Sequence, residues 1–214
     1  MKPLYEKYRP QRFEDVIGQD KAVKQIKTAL KPGWGGQAFW LNGSSGIGKS
    51  TLAKIIARIG ADDWFVNEYD SADQVSAGAL DDIERVMALY GGGKGGRAFI
   101  VNESHGLRWS AVRRLLGLLE RIPRHVVFIF TTTTENQLCF FEDHTDAGPL
   151  LSRCIEITLT NQGLAKAFAK HVQSVAKLEN LDGKPEQAYY RLAQECKNNC
   201  RTMLQQVEAG AMKE

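Results

Sequence analysis

Gly43-Ser44-Ser45-Gly46-Ile47-Gly48-Lys49-Ser50 decides the fold. The octapeptide fits G-x-x-x-x-G-K-[ST], and its flanks supply the context that this motif needs. The apolar run "AFWLN" (38–42) precedes it and reads as a buried strand; Lys49 to Ile59 follows with helical spacing. Glycines let backbone N–H groups turn inward around an anion, and a helix N-terminus adds positive potential. Lys49 is expected to reach the β- and γ-phosphates of ATP, and the Ser50 hydroxyl to be a Mg2+ ligand. A Gly-rich turn that binds nothing explains the glycines, but not strand, helix and lysine together.

Working outward, three more apolar runs read as buried strands: "WFVNEY" (64–69), "AFIVN" (98–102) and "VVFIFT" (126–131). Runs that are apolar on both faces suit a central parallel sheet. Helical patterns separate them. Leu80 to Leu89 is one; "SAVRRLLGLLERI" is another, with Ser110 as its expected cap and Leu115, Leu116, Leu118 and Leu119 as its apolar face. Alternation of strand and helix predicts an α/β layer structure with a central parallel sheet flanked by helices. Beyond about residue 160 the strand signals stop, and three helical stretches follow, beginning at Gly163, Pro185 and Cys200. The expected organisation is a nucleotide-binding domain over 1–159 and a small all-α domain over 160–214.

Composition narrows the class. With 43% hydrophobic and 25% charged residues the chain is an ordinary globular protein. A net charge of +3 neither requires nor excludes nucleic acid, so any basic footprint has to be local. No apolar run approaches the roughly 20 residues of a membrane span, so no membrane partner is expected. The start, "MKPLYEKYRP", has no apolar signal core, and a cytoplasmic location is expected. Cys139, Cys154, Cys196 and Cys200 form no CxxC pair, which argues against structural zinc. Cys196 and Cys200, spaced by one helical turn, read as small side chains on one buried face.

The third strand ends "FIVNESH", Phe99 to His105. Glu103 is the candidate base that polarises an attacking water, the alternative being a solvated strand-end acid. Asn102 stands where an Asp would steady Mg2+ through its water shell. Its amide oxygen can still accept a hydrogen bond from such a water, but it brings no charge. The expectation is intact ATP binding, looser Mg2+ and slowed hydrolysis, with Asn102→Asp raising turnover or lowering the Mg2+ requirement.

Taken in order, several stretches resemble the clamp-loader branch of the AAA+ ATPases: "YEKYRPQRFEDVIGQD" (5–20), the phosphate loop, "NEYDSAD" (67–73), "AFIVNESHGL" (98–107), "FIFTTTTENQL" (128–138), "LLSRCIEITL" (150–159) and "NNCRTMLQQVE" (198–208). The resemblance implies a P-loop AAA+ domain followed by a helical lid. It implies that Tyr8, Arg9, Pro10, Ile17 and Gly18 border the adenine, and that Ser45, Gly46, Ile47, Gly48, Lys49, Ser50 and Thr51 hold the phosphates and Mg2+ with Asn102 and Glu103. Thr133 matches the first sensor, Arg153 of Ser152-Arg153-Cys154 an arginine finger acting in trans, and Arg201 the second sensor. For either arginine the plainer alternative is a surface cation.

Implied partners are ATP/ADP, other AAA+ subunits in a homo- or hetero-oligomer, DNA and a sliding clamp. Helix starts after "YDSAD" and "HGLRWS", with Arg108 and Trp109, are candidate DNA contacts. Departures from the family are Asn102, the lack of its cysteine cluster and C-terminal collar, and the longer segment "CFFEDHTDAGP" (139–149). Phe140 and Phe141 there read more simply as local packing than as a subunit contact. A slow or inactive nucleotide-binding scaffold is the competing function. Other DNA-processing AAA+ proteins share an "RP…IGQ" box, but the SRC triplet argues against them.

Overall fold

The computed structural model describes residues 2–133 and 148–213. Its centre is a five-stranded parallel sheet: β1 (Gln37–Asn42), β2 (Val66–Tyr69), β3 (Arg97–Val101), β4 (Val126–Thr132) and β5 (Ile155–Thr158), in the order β2-β3-β4-β1-β5. Side chains alternate across a strand, so neighbouring residues feed opposite layers. Phe39, Leu41, Ile100, Val127 and Ile129 enter one apolar cluster. Trp40, Phe99, Val101, Phe128 and Phe130 enter the other. Helices α2 (Asp20–Ala29) and α3 (Lys49–Gly60) cover the first face with Ile26, Leu52 and Ile56. Helices α4 (Ala77–Met87) and α5 (Trp109–Leu119) cover the second with Leu80, Ile83, Val112 and Leu115. This two-sided cover is why β1, β3 and β4 read as unbroken apolar runs.

The edges depart from that pattern. The strand expected over 64–69 begins at Val66; Asp63–Phe65 is a 3-10 turn, and Trp64 is 94% exposed. With a neighbour on one side only, β2 leaves Asn67 and Glu68 at the surface. At the opposite edge, β5 pairs with β1 although its I-E-I-T alternation gave no apolar run. The expected cap of α5 is also displaced. Arg108 is the residue before the helix, and Ser110 lies within its first turn. It is α4 that has a serine cap, with Ser76 Oγ accepting the Ala79 N–H at 3.2 Å.

Short helix α6 (Gly148–Leu151) leads into β5. Then follow α7 (Ala165–Leu178), α8 (Glu186–Glu195) and α9 (Cys200–Glu208). Their buried residues Phe168, Val172, Tyr189, Met203 and Leu204 continue the first cluster. Cys196 and Cys200 are not on one helix: the first ends α8 and the second opens α9, across the turn Lys197–Asn199. The amino-terminal helix α1 (Leu4–Lys7) returns onto this group. Lys7 Nζ meets Glu179 at 2.6 Å, and the Tyr8 hydroxyl donates to the same carboxylate. Residues 134–147, with Cys139, Phe140 and Phe141, lie outside the described residues. Among the described residues no helix is long and apolar enough to cross a membrane.

Candidate nucleotide site

In an open parallel sheet ligands bind at the carboxyl ends of the strands, where the strand order reverses. Here that point is the end of β1, from which the chain passes to α3 and then to the far edge strand β2. The phosphate loop occupies it. Lys49 begins α3, is 7% exposed, and donates from Nζ to the Gly43 and Ser44 carbonyls at 2.7 and 2.8 Å. Burial pushes its ammonium down to about 8; Glu103 nearby opposes the shift and Arg201 adds to it. The lysine is thus held by the carbonyls of its own loop.

Three segments wall the cleft around this loop, enclosing about 900 Å³ including its open mouth. Tyr8, Arg9, Pro10 and Ile17 come from the amino-terminal segment, Ser45 to Thr51 from the loop, and Arg201 from α9; Glu103 also lines it. Residues far apart in the chain therefore converge on one cleft. Gly18 does not line the cleft. Its φ of +71° makes a turn against Leu164, whose side chain an added Cβ would meet at 2.3 Å. Beside it Gln19, 1% exposed, donates to the Thr160 carbonyl at 2.9 Å and accepts the Thr160 N–H at 3.0 Å. That pair ties the amino-terminal segment to the chain just beyond β5.

The helical part reaches the loop directly. The Cys200 N–H donates to the Gly46 carbonyl at 3.2 Å. Asn199 caps α9 by accepting the Thr202 N–H at 3.1 Å, and a Cβ on Gly46 would lie 1.9 Å from its Oδ1. Arg201 follows, its guanidinium 5.6 Å from the Tyr5 ring centre. Tyr5, Phe168, His171 and Leu204 line the cleft without having been singled out, and Cys200, expected only as a buried side chain, lines it too. Helical periodicity marks Phe168 and Leu204 as core, and nothing in the sequence separates a core residue from one at the cleft wall. Burial pushes His171 below the usual histidine range, so its ring is neutral at pH 7.

Behind the cleft, side chains alone build a strand-end cluster, of which Ser50 lines the cleft and Asn102, Thr131 and Glu68 do not. Asn102, 8% exposed, follows β3. Its Oδ1 accepts from Thr131 Oγ1 at 3.0 Å and Ser50 Oγ at 3.3 Å, and its Nδ2 donates to Glu68 Oε1 at 3.0 Å. Thr131 and Glu68 are members of this group that sequence reading passed over. Glu103 has φ +49° and ψ +46°, a left-handed backbone that a non-glycine residue adopts only at a cost of about 1–2 kcal/mol. Its carboxylate lies 3.5 Å from His105 Nδ1. The oxygen-rich donor set of Ser50, Asn102, Thr131 and Glu103 suits Mg2+, which takes oxygen ligands and keeps much of its water.

Thr133 and Arg153 stand apart. The Thr133 hydroxyl is buried with no hydrogen-bond partner among the described residues, beside the end of β4. Arg153 does not line the cleft. It holds Glu120, after α5, at 2.5 Å and the Pro149 carbonyl at 2.8 Å.

No family model matches the chain. DNA polymerase III subunit tau of Bacillus subtilis is 30% identical over 173 residues, covering 71% of this chain and 29% of that protein. The gamma/tau subunit of Mycobacterium tuberculosis is 32% identical over 154 residues, covering 61% and 27%. The Escherichia coli tau subunit is 25% identical over 178 residues, covering 73% and 26%. The chain thus spans less than a third of these relatives' length. Among solved structures, the Thermotoga maritima RuvB branch-migration motor superposes with a TM-score of 0.71 at 21% identity, over 94% of this chain and 64% of that one, and so supports the fold alone. The chain is a sequence relative of the DNA polymerase III gamma/tau subunits and shares its fold with the RuvB motor.

Proposed function

We propose that this chain is the ATP-binding and ATP-hydrolysing AAA+ module of a clamp-loader-like replication assembly, acting in the cytoplasm. One observation carries the reading: the amino-terminal segment, the phosphate loop, Glu103 and Arg201 converge on a single cleft. ATP binds there, with Lys49 against the β- and γ-phosphates and Ser50 and the Asn102 side serving Mg2+. Bound Mg2+ supplies charge neutralisation of the phosphates. Glu103 polarises the attacking water, and Thr133, after β4, serves as the first sensor. Arg201 reports nucleotide to residues 160–214, which act as a lid on the domain 1–159. Arg153 serves as a finger on ATP held by a neighbouring AAA+ subunit, which fits its place outside its own cleft. DNA and a sliding clamp are the proposed substrates of the assembly.

Steady-state ATPase assays with and without primed DNA test this. The wild-type chain turns over ATP, and Glu103→Gln abolishes turnover while ATP binding persists. The neutral Asn102 favours one competing reading, an assembly subunit that binds nucleotide without hydrolysing it. No turnover by the wild type under any condition, with binding intact, would establish that reading instead.

A further inference from the structure

We propose that Glu68 is the positioning residue that makes Asn102 serviceable at the Mg2+ end of the site; this rests on the nucleotide reading above. A carboxylate at position 102 would offer an oxygen whichever way it turned. An amide does not, because one end accepts and the other only donates. Ser50 and Thr131 cannot choose between the ends, since a hydroxyl both donates and accepts. Glu68 can. An ionised carboxylate only accepts, so the amide nitrogen has to face Glu68 Oε1, as it does at 3.0 Å. The amide oxygen is thereby turned to Ser50 and Thr131, the side from which a Mg2+-bound water would approach.

Glu68 is itself anchored. Lys54 Nζ of α3 lies 2.9 Å from Glu68 Oε2, leaving Oε1 for Asn102. The order Lys54, Glu68, Asn102, Ser50 thus runs from α3 across the ends of β2 and β3 and back to the phosphate loop. It also keeps a negative charge one side chain behind the position where charge is missing. The same contact bears on Asn102→Asp. That change sets two carboxylates, which only accept, against each other at hydrogen-bonding distance with no donor between them. The gain expected from an aspartate therefore requires Glu68 to be neutralised with it.

The Glu68→Gln variant is the sharp test. Lys54 only donates, so it claims the glutamine oxygen and leaves Nε2 facing Asn102, which then turns its own oxygen toward residue 68. A fluorescent ATP analogue is titrated without metal, and then with Mg2+ to find the half-point of tightened binding. Glu68→Gln raises that Mg2+ half-point by about tenfold, the scale of losing a partner behind a metal ligand, and leaves metal-free binding unchanged. In an Asn102→Asp background the same substitution carries no penalty, because glutamine can donate to the aspartate. A half-point within about twofold of wild type, or an equal penalty in both backgrounds, overturns the proposal. Equal weakening of metal-free and Mg2+ binding would make Glu68 merely structural, and overturns it as well. Failure of the wild-type chain to bind the analogue at all removes the nucleotide reading itself; intact wild-type binding with an unmoved half-point removes this inference alone.

Discussion

The two walls of the site, the phosphate loop and the strand-end cluster behind the cleft, are built on different principles. On the phosphate-loop side the contacts are mostly main chain: Lys49 rests on the Gly43 and Ser44 carbonyls, and Gly46 takes the Cys200 N–H. On the strand-end side four side chains meet from separate elements, and Asn102 touches the other three. A loop made of backbone tolerates change wherever neither a glycine conformation nor the lysine is involved. A cluster of side chains depends on every member's orientation. Damage to the first wall should therefore weaken nucleotide binding as a whole, and damage to the second should alter metal response or turnover and leave binding standing.

Lys49→Ala makes the largest break on the loop side. It removes the buried charge proposed to meet two phosphates, an expected loss of about 3 kcal/mol or roughly 100-fold in Kd. Isothermal titration with ATP and Mg2+ measures it. The contrast between the walls dissolves if this variant keeps its affinity and loses only its Mg2+ dependence.

Gly46→Ala follows, and probes where the helical part joins the loop. The residue has φ +73°, which costs a side chain about 1–2 kcal/mol. The new Cβ also displaces Asn199, whose cap on α9 is worth about 1 kcal/mol. A destabilisation of about 2–3 kcal/mol in urea unfolding is the expected sum. In an Asn199→Gly background the clash is gone, and Gly46→Ala should cost only its backbone share. If the cost is the same in both backgrounds, the loop and α9 are not energetically joined there.

The same contrast explains what could be read before any coordinates. The octapeptide, its strand and its helix are local, so spacing and composition placed Lys49 at the start of the helix that follows the strand. Buried strands announced themselves as apolar runs because both faces of the sheet are covered. The edges did not: β5 has only Ile157 fully buried, and Trp64 looked like strand but is solvent-facing. Convergence of the amino-terminal segment and Arg201 on the loop was expected through the family resemblance alone. Glu68 and Thr131 were illegible for a more basic reason. Their meeting at Asn102 depends on the register that sets Glu68 opposite Ile100 and Phe130 opposite Val101, and no local pattern encodes register between strands distant in sequence. Cys196 and Cys200 mark the opposite error, a helical spacing read across a turn.

The smallest effect expected is a pH response of the loop wall. In the folded chain the Lys49 ammonium is pushed down to about 8 by burial, whereas an unfolded lysine keeps its proton to about 10.4. Between those values the unfolded chain binds more protons, so this group makes the empty protein more stable as pH rises from 8. The half-buried thiols of Cys154 and Cys200, pushed up to about 12 by desolvation, act in the opposite direction, since they keep their protons only when folded. Subtracting a Lys49→Ala profile from the wild type isolates the lysine. Nucleotide affinity should run the other way. Phosphates need the charged lysine, so ATP affinity falls above pH 8 by up to about tenfold per unit. Stability and affinity moving in opposite directions over pH 8 to 9.5 would tie both to one buried ammonium. A Lys49-dependent stability that stays flat over that range would mean that the loop carbonyls hold the proton as firmly as water does, and that burial there costs the lysine nothing.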